Sequence, residues 1–112
     1  MELYHGSHKH TELTLHIGIC LCESESFAEQ YAAGKEVFVV DLDGSDLNLV
    51  EVEGYDHDTN SCPADHPEYR ARMAADGADV LVYEDEDEMG REHTCYRLVS
   101  DKALAAVREM EE

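Results

Sequence analysis

Residues 35 to 43 read KEVFVVDLD, and this run constrains the fold more than any other. It is dense in β-branched and aromatic residues and is closed by the turn sequence DGSD at 43 to 46, so it is expected to be a buried strand. Other segments fall around it. ELYH at 2 to 5 alternates and reads as a short first strand, and HIGICLC at 16 to 22 as a second extended segment. SESFAEQYAAG then carries a helix, with Ser24 or Ser26 as N-cap, Phe27, Ala28 and Tyr31 on one face, and Gly34 as the stop.

The strand pattern resumes in LNLVEVE at 47 to 53, which turns Glu51 and Glu53 toward water. Residues 54 to 66, GYDHDTNSCPADH, form a polar loop longer than a hairpin turn, where binding function often sits. A second helix begins at Pro67 and ends at Gly77. ADVLVYE at 78 to 84 and HTCYRLVS at 93 to 100 are two strands flanking the acidic run and MGRE. SDKALAAVREMEE closes the chain as a third helix capped by Ser100 or Asp101. The order β, β, α, β, β, α, β, β, α predicts an α+β fold, a mixed, mainly antiparallel sheet with about three helices. No internal repeat is present.

At 112 residues and 43% hydrophobic composition, one domain spanning 1–112 with a single core is expected, without disulfide staples. No run approaches the roughly 18 apolar residues of a membrane span, and the N-terminus lacks the layout of a signal peptide, so a cytoplasmic location is expected. The four cysteines then read as reduced thiols. The pair Cys20 and Cys22 would point both sulfurs to one side of a strand, and it lacks the partners of a zinc site. DLDGSDLN at 41 to 48 resembles a calcium loop, but its glycine stands fourth and not sixth. HGSHKH at 5 to 10 offers only adventitious metal binding, so no metal is expected.

Charge is the outlying number. Twenty-seven acidic residues against eight basic ones give a net charge of −19, well beyond the roughly 2 to 8 that keeps a small domain soluble. Such a field repels nucleic acid and anionic membrane, and its natural complement is a strongly basic protein. A halophilic origin would produce the same balance. A globule of this length has a diameter of roughly 34 Å, over which duplex DNA presents about 20 charges. The protein's charge is close to that value. Three groups would present it: Glu84, Asp85, Glu86, Asp87 and Glu88 in the run YEDEDE; Asp41, Asp43 and Asp46; and Glu51, Glu53, Asp56 and Asp58.

YHGS at Tyr4 to Ser7, followed by GICLCESESFAEQYA at Gly18 to Ala32, resembles the opening of the ADP-ribosyltransferase fold in its diphtheria-toxin-like branch. That resemblance implies NAD as cofactor, with His5 and Gly6 holding the nicotinamide amide and Tyr31 as one ring of an aromatic clamp. Cys20 stands where the family has its first clamp tyrosine. The segment from Gly77 to Leu104 is similar to the strand, acidic turn and strand that end small phage proteins of this fold. One of these is an anti-CRISPR protein that modifies its target, and its required acid falls at or beside Asp85. In sequence, however, no basic residue other than Lys9 lies near the first strand, and the chain's field would repel an anionic cofactor.

Small size and acidity also resemble anti-CRISPR proteins that act as DNA mimics. The leading expectation is therefore an inhibitor, without a cofactor, that binds the DNA-recognition surface of a CRISPR effector subunit in the host cytoplasm. The alternative is an ADP-ribosyltransferase using NAD, His5, Gly6, Tyr31 and Asp85.

Overall fold

The computed structural model describes residues 1–7, 15–32, 36–54, 58, 61–86 and 89–110, with the backbone alone at Ser7 and Tyr31. The strands are β1 (Glu2–Ser7), β2 (Cys20–Cys22), β3 (Glu36–Leu42), β4 (Leu49–Glu51), β5 (Val80–Glu86), β6 (Glu92–Leu98) and β7 (Val107–Glu109). The helices are α1 (Glu25–Ala32), α2 (Pro67–Ala75) and α3 (Asp101–Ala105), with a 3₁₀ turn at Pro63–Asp65. The strands form one sheet in the order β4-β5-β6-β2-β1-β3-β7. The pairings are antiparallel except β4 with β5, which is parallel. The fold is α+β with a mixed, mostly antiparallel sheet, as the sequence predicts.

Alternation along each strand divides the core in two. Leu81, Tyr83 and Cys95 meet Phe27 and Ala28 of α1, Cys62 and Ala64 around the 3₁₀ turn, and Tyr69 and Met73 of α2. Their neighbours Val80, Tyr96 and Leu98 join Leu3, Leu21, Val40, Leu42 and Ala103 of α3 on the other face. Two sheet faces are thus covered, and the apolar run of β3 contributes Phe38, Val40 and Leu42 as buried residues, the last two fully so. The edges also approach each other: Leu49 of β4 and Arg108 of β7 line one cavity of about 550 Å³ together with Met1 and Leu42. The sheet therefore wraps around the second core.

Local chemistry sets the helix ends. The Phe27 N–H donates to Ser24 Oγ at 3.3 Å, which caps α1. Pro67 opens α2, and Gly77, at φ +101°, follows its end where a left-handed residue is required. Ser100 Oγ accepts from the Ala103 N–H at 3.1 Å and its hydroxyl donates to Asp79 at 2.7 Å, so one side chain caps α3 and ties it to β5.

Three expectations need correction. The third helix does not continue past Ala105. Val107–Glu109 instead pairs with β3, with Arg108 opposite Asp41 and the Met110 N–H donating to Val39 O at 2.9 Å. The open edge of β3 supplies backbone partners that helical spacing cannot reveal. The segment at 16 to 22 is a strand only over Cys20–Cys22, because Gly18, at φ +92°, turns the chain just before it. The strand expected to end at Glu84 continues into the acidic run: Glu84, Asp85 and Glu86 belong to β5, and Asp87 and Glu88 lie outside the described residues. The loop at 54 to 66 is also less polar in place than in sequence, since Cys62 and Ala64 are buried in it. Among the described residues, no helix is long and apolar enough to cross a membrane.

Candidate functional site

β1 and β2 are paired at one position, Tyr4 opposite Cys22. Beyond it, β1 follows β3 through Ser7 while β2 follows β6, so the two strands part at His5 and Gly6. His5 spans the gap. Its Nδ1 lies 2.8 Å from the Cys20 carbonyl oxygen, and because a carbonyl can only accept, that nitrogen carries the proton. The ring also stacks with Phe38, at 6.5 Å between centroids. Gly6 is required by packing: a Cβ there would fall 1.9 Å from the Ala28 carbonyl oxygen of α1.

The gap opens into a cavity of about 290 Å³ lined by His5, Gly6, His16, Cys20, Asp65 and Arg97, among others. Arg97 stands directly opposite Cys20 on β6. It donates from Nη1 to Gly18 O at 3.0 Å and from Nη2 to Tyr83 Oη at 3.2 Å, and it pairs with Asp65. Its Nε is buried and has no acceptor among the described residues. Arg70 approaches from α2 and holds Ala64 O at 3.0 Å. A Cβ on Gly18 would fall 3.0 Å from its guanidinium. Arg97 thus lines the cleft of a protein whose net charge is −19, and Arg70 stands beside Gly18 of that lining. Both are distant from β1 in sequence, so spacing along the chain carries no sign of them.

The thiols respond to these charges. Hydrogen bonding with Cys95 lowers the Cys20 pKa most, and together with Arg97 and Tyr83 it outweighs burial and brings Cys20 to about 7. The same bond and burial push Cys95 up. Burial, then the neighbouring Cys20, pushes Cys22 up to about 12. Burial alone would lower Arg97, but Cys20, Tyr83 and Asp65 together raise it. As expected from the C-x-C spacing, Cys20 and Cys22 face the same core.

Asp85 is half-buried and on the face of Tyr83, and its Oδ1 accepts from the Glu86 N–H at 2.9 Å. Its charge raises the Cys20, Cys62 and Cys95 thiols, which belong to the core on that same face. Glu84 and Glu86 point to the other face, where Glu84 accepts from Thr94 Oγ1 at 2.8 Å. Glu86 stands directly opposite Glu92, and Glu51 opposite Val82. Glu23 accepts from Tyr96 Oη at 2.6 Å on that same face. One end of the second face therefore collects Glu23, Glu51, Glu84, Glu86 and Glu92.

The other proposed acids are dispersed. Asp41 binds the N-terminal ammonium at 2.9 Å. Asp43 accepts from the N–H and hydroxyl of Ser45, which lowers its pKa and forms the DGSD turn. Asp46, Glu53 and Asp58 are exposed. Asp56 and the Tyr31 side chain lie outside the described residues. Comparison with protein-family models, curated proteins and solved structures finds no match to this chain.

Proposed function

We propose that the protein is an NAD-dependent ADP-ribosyltransferase that acts on a basic protein. The parting of β1 and β2 within YHGS carries this reading, because it opens a cavity at the residues the family resemblance assigns to nicotinamide. A volume of about 290 Å³ is at the lower end of small-molecule sites, roughly 300–1,000 Å³, and suits one end of a dinucleotide. The buried Arg97 Nε–H, which has no acceptor among the described residues, fits an anionic or carbonyl-bearing ligand that would supply one.

His5 and Gly6 would hold the nicotinamide end, with the His5 ring oriented by its bond to Cys20 O. Arg97 and Arg70 would offset the repulsion between the protein's field and a pyrophosphate. NAD, when bound, would supply the ADP-ribosyl group. Asp85 would provide the negative charge needed where a glycosidic bond breaks with developing positive charge. Cys20 at the position of a clamp tyrosine removes one stacking surface, so ring binding would rest more on polar contacts. The acidic face of the sheet would attract a basic target, for which a DNA-binding subunit of a CRISPR effector is the proposed class.

The acidic face also supports a second reading, stoichiometric inhibition by DNA mimicry. Its basis is the cluster of five glutamates together with the 36 × 34 × 22 Å extents, over which the charge approaches that of duplex DNA. The two readings separate when a purified effector is mixed with the protein, with and without NAD, while nicotinamide release and target-DNA binding are followed. Transfer predicts nicotinamide release and substoichiometric inhibition that requires NAD, with Asp85→Asn slowing release by about 100-fold or more. A wild-type protein that neither binds NAD nor releases nicotinamide rules transfer out. Inhibition without NAD, near one to one and lost at high salt, would then support mimicry.

A further inference from the structure

Cys22 and Cys95 face each other across β2 and β6. On either side of them the Leu98 N–H donates to Ile19 O at 3.0 Å and the Glu23 N–H donates to Thr94 O at 3.1 Å. Hydrogen-bonded pairs alternate with open ones along an antiparallel ladder, so Ile19–Leu98, Leu21–Tyr96 and Glu23–Thr94 are bonded and Cys22–Cys95 is open. An open pair holds its Cα atoms about 4.5 Å apart with the side chains close together, inside the roughly 4.4–6.8 Å that a disulfide spans. Both side chains enter the same core. The Cys22 S–H is directed to Ser24 O at 3.2 Å and Tyr4 O at 3.6 Å, whereas Cys95 hydrogen-bonds with Cys20. Joining the two sulfurs therefore calls for rotation about χ1 and not for movement of the strands.

Cys20 connects this pair to the cleft. It is half-buried, lines the cavity of about 290 Å³ together with Cys22, and is brought to about 7 chiefly by its hydrogen bond with Cys95. Thiol–disulfide exchange starts from a thiolate that a reagent can reach, and Cys20 meets both conditions. The fourth cysteine, Cys62, is buried beside the 3₁₀ turn and lies outside β2 and β6.

We propose that Cys22 and Cys95 are a redox-active dithiol, closed to a cross-strand disulfide by a small organic disulfide that enters the cleft. The Cys20 thiolate attacks one sulfur of the reagent, the reagent's S–S bond breaks, and the first small thiolate leaves with the proton that Cys20 gave up. Cys95 then attacks the reagent sulfur held on Cys20, and Cys20 departs with the Cys95 proton as a thiol again. Cys22 attacks the Cys95 sulfur, and the second small thiol leaves with the Cys22 proton. Two protein sulfurs are oxidised while one small disulfide is reduced to two thiols, so the electrons balance. Closing the bond withdraws the Cys22 S–H from Tyr4 O, at the rung that joins β1 to β2, so the redox state is felt in the wall of the cleft. The site stands independently of the nucleotide reading, which gives neither Cys22 nor Cys95 a role.

Hydroxyethyl disulfide is a probe small enough for the cleft. The full-length protein is held with it at about pH 8, quenched with acid, alkylated with N-ethylmaleimide and mapped by peptide mass spectrometry. The expected product is the Cys22–Cys95 disulfide, at least about tenfold more abundant than any other protein disulfide and returned to thiols by dithiothreitol. Oxidation in concentrated urea should lose that preference, because the strand register is gone. Cys20→Ser should give the same bond about tenfold more slowly. In the oxidised wild-type protein the carbonyl carbon resonances of Tyr4 and Ser24 should be displaced, since both acceptors lose the Cys22 donor. The proposal is overturned by mixed disulfides as the sole product, by a main product joining any other two cysteines, by wild-type rates in Cys20→Ser, or by unmoved Tyr4 and Ser24 carbonyl resonances.

Discussion

The imidazole of His5 reaches the carbonyl oxygen of Cys20 at 2.8 Å where β1 and β2 separate. A side chain there replaces the next rung of a backbone ladder and keeps the strands close enough to share a cavity. Replacing His5 with Ala should remove this bridge and leave the Cys20 carbonyl exposed to the cleft. The expected consequence is a loss of about 1 kcal/mol in urea unfolding. Wild-type stability in this variant would show that the bridge contributes nothing to the fold.

Gly6 lies against α1 with no room for a methyl group, given the 1.9 Å from a Cβ to the Ala28 carbonyl oxygen. Gly6→Ala should destabilise the protein by about 2–4 kcal/mol as β1 and α1 are forced apart. A change below about 0.5 kcal/mol would mean that the helix shifts freely.

Removing the Ser100 hydroxyl deletes the cap of α3 and leaves Asp79 without one of its donors. Ser100→Ala should cost about 1–2 kcal/mol, whereas Ser100→Asp should recover the cap but place a second carboxylate beside Asp79. Equal stability of Ser100→Ala and wild type in chemical denaturation would count against this cap.

Stability should fall in alkaline solution. Burial pushes Cys22 up to about 12 from an ordinary value of 9.0, and burial with the Glu23 hydrogen bond pushes Tyr96 up to about 12 from 10.0. Both remain protonated in the fold while the unfolded chain loses its protons, so the folded state binds more protons. The stability they contribute is present below the ordinary values and is lost as pH rises toward 12, by at most about tenfold in the folding constant per pH unit and group. Cys20, lowered to about 7, acts in the opposite sense between 7 and 9.0. Urea midpoints at about pH 8, 9.5 and 10.5 should therefore drop most over the upper interval, and a flat profile would contradict the burial of these groups.

Glu86 and Glu92 face each other across β5 and β6. Like charges directly opposite are destabilising, so Glu92→Lys should stabilise the fold by up to about 1 kcal/mol while weakening attraction to a basic partner. Added salt should raise wild-type stability and reduce the benefit of the substitution, because both effects come from repulsion. A destabilised Glu92→Lys variant would assign Glu92 a structural role.

The strands and helices were legible wherever local signals agreed. The β3 run, the Ser24, Pro67, Gly77 and Ser100 signals and the shared side of Cys20 and Cys22 all follow from chemistry within a few residues. Beyond Ala105 local signals were insufficient, since the helical spacing of the C-terminal segment continues while the unpaired edge of β3 draws Val107–Glu109 into the sheet. YHGS marked part of the cleft, whose lining includes Tyr4, His5 and Gly6. Arg70 and Arg97 did not stand out, because an arginine in a helix or strand has no distinctive local pattern.

Sequence by itself determined the α+β class, the positions of most elements and a charge of −19, since these depend on side-chain type and short-range spacing. Tertiary structure decided how that charge is distributed. It turned Asp85 to the face of Tyr83 and Glu84 and Glu86 to the opposite face, because alternate residues of a strand point to opposite sides. It also brought Arg97, 77 positions along the chain from Cys20 (97 − 20), directly opposite that thiol. Strand pairing joins residues by register and not by distance in sequence, so an arginine comes to line a cleft in an acidic chain.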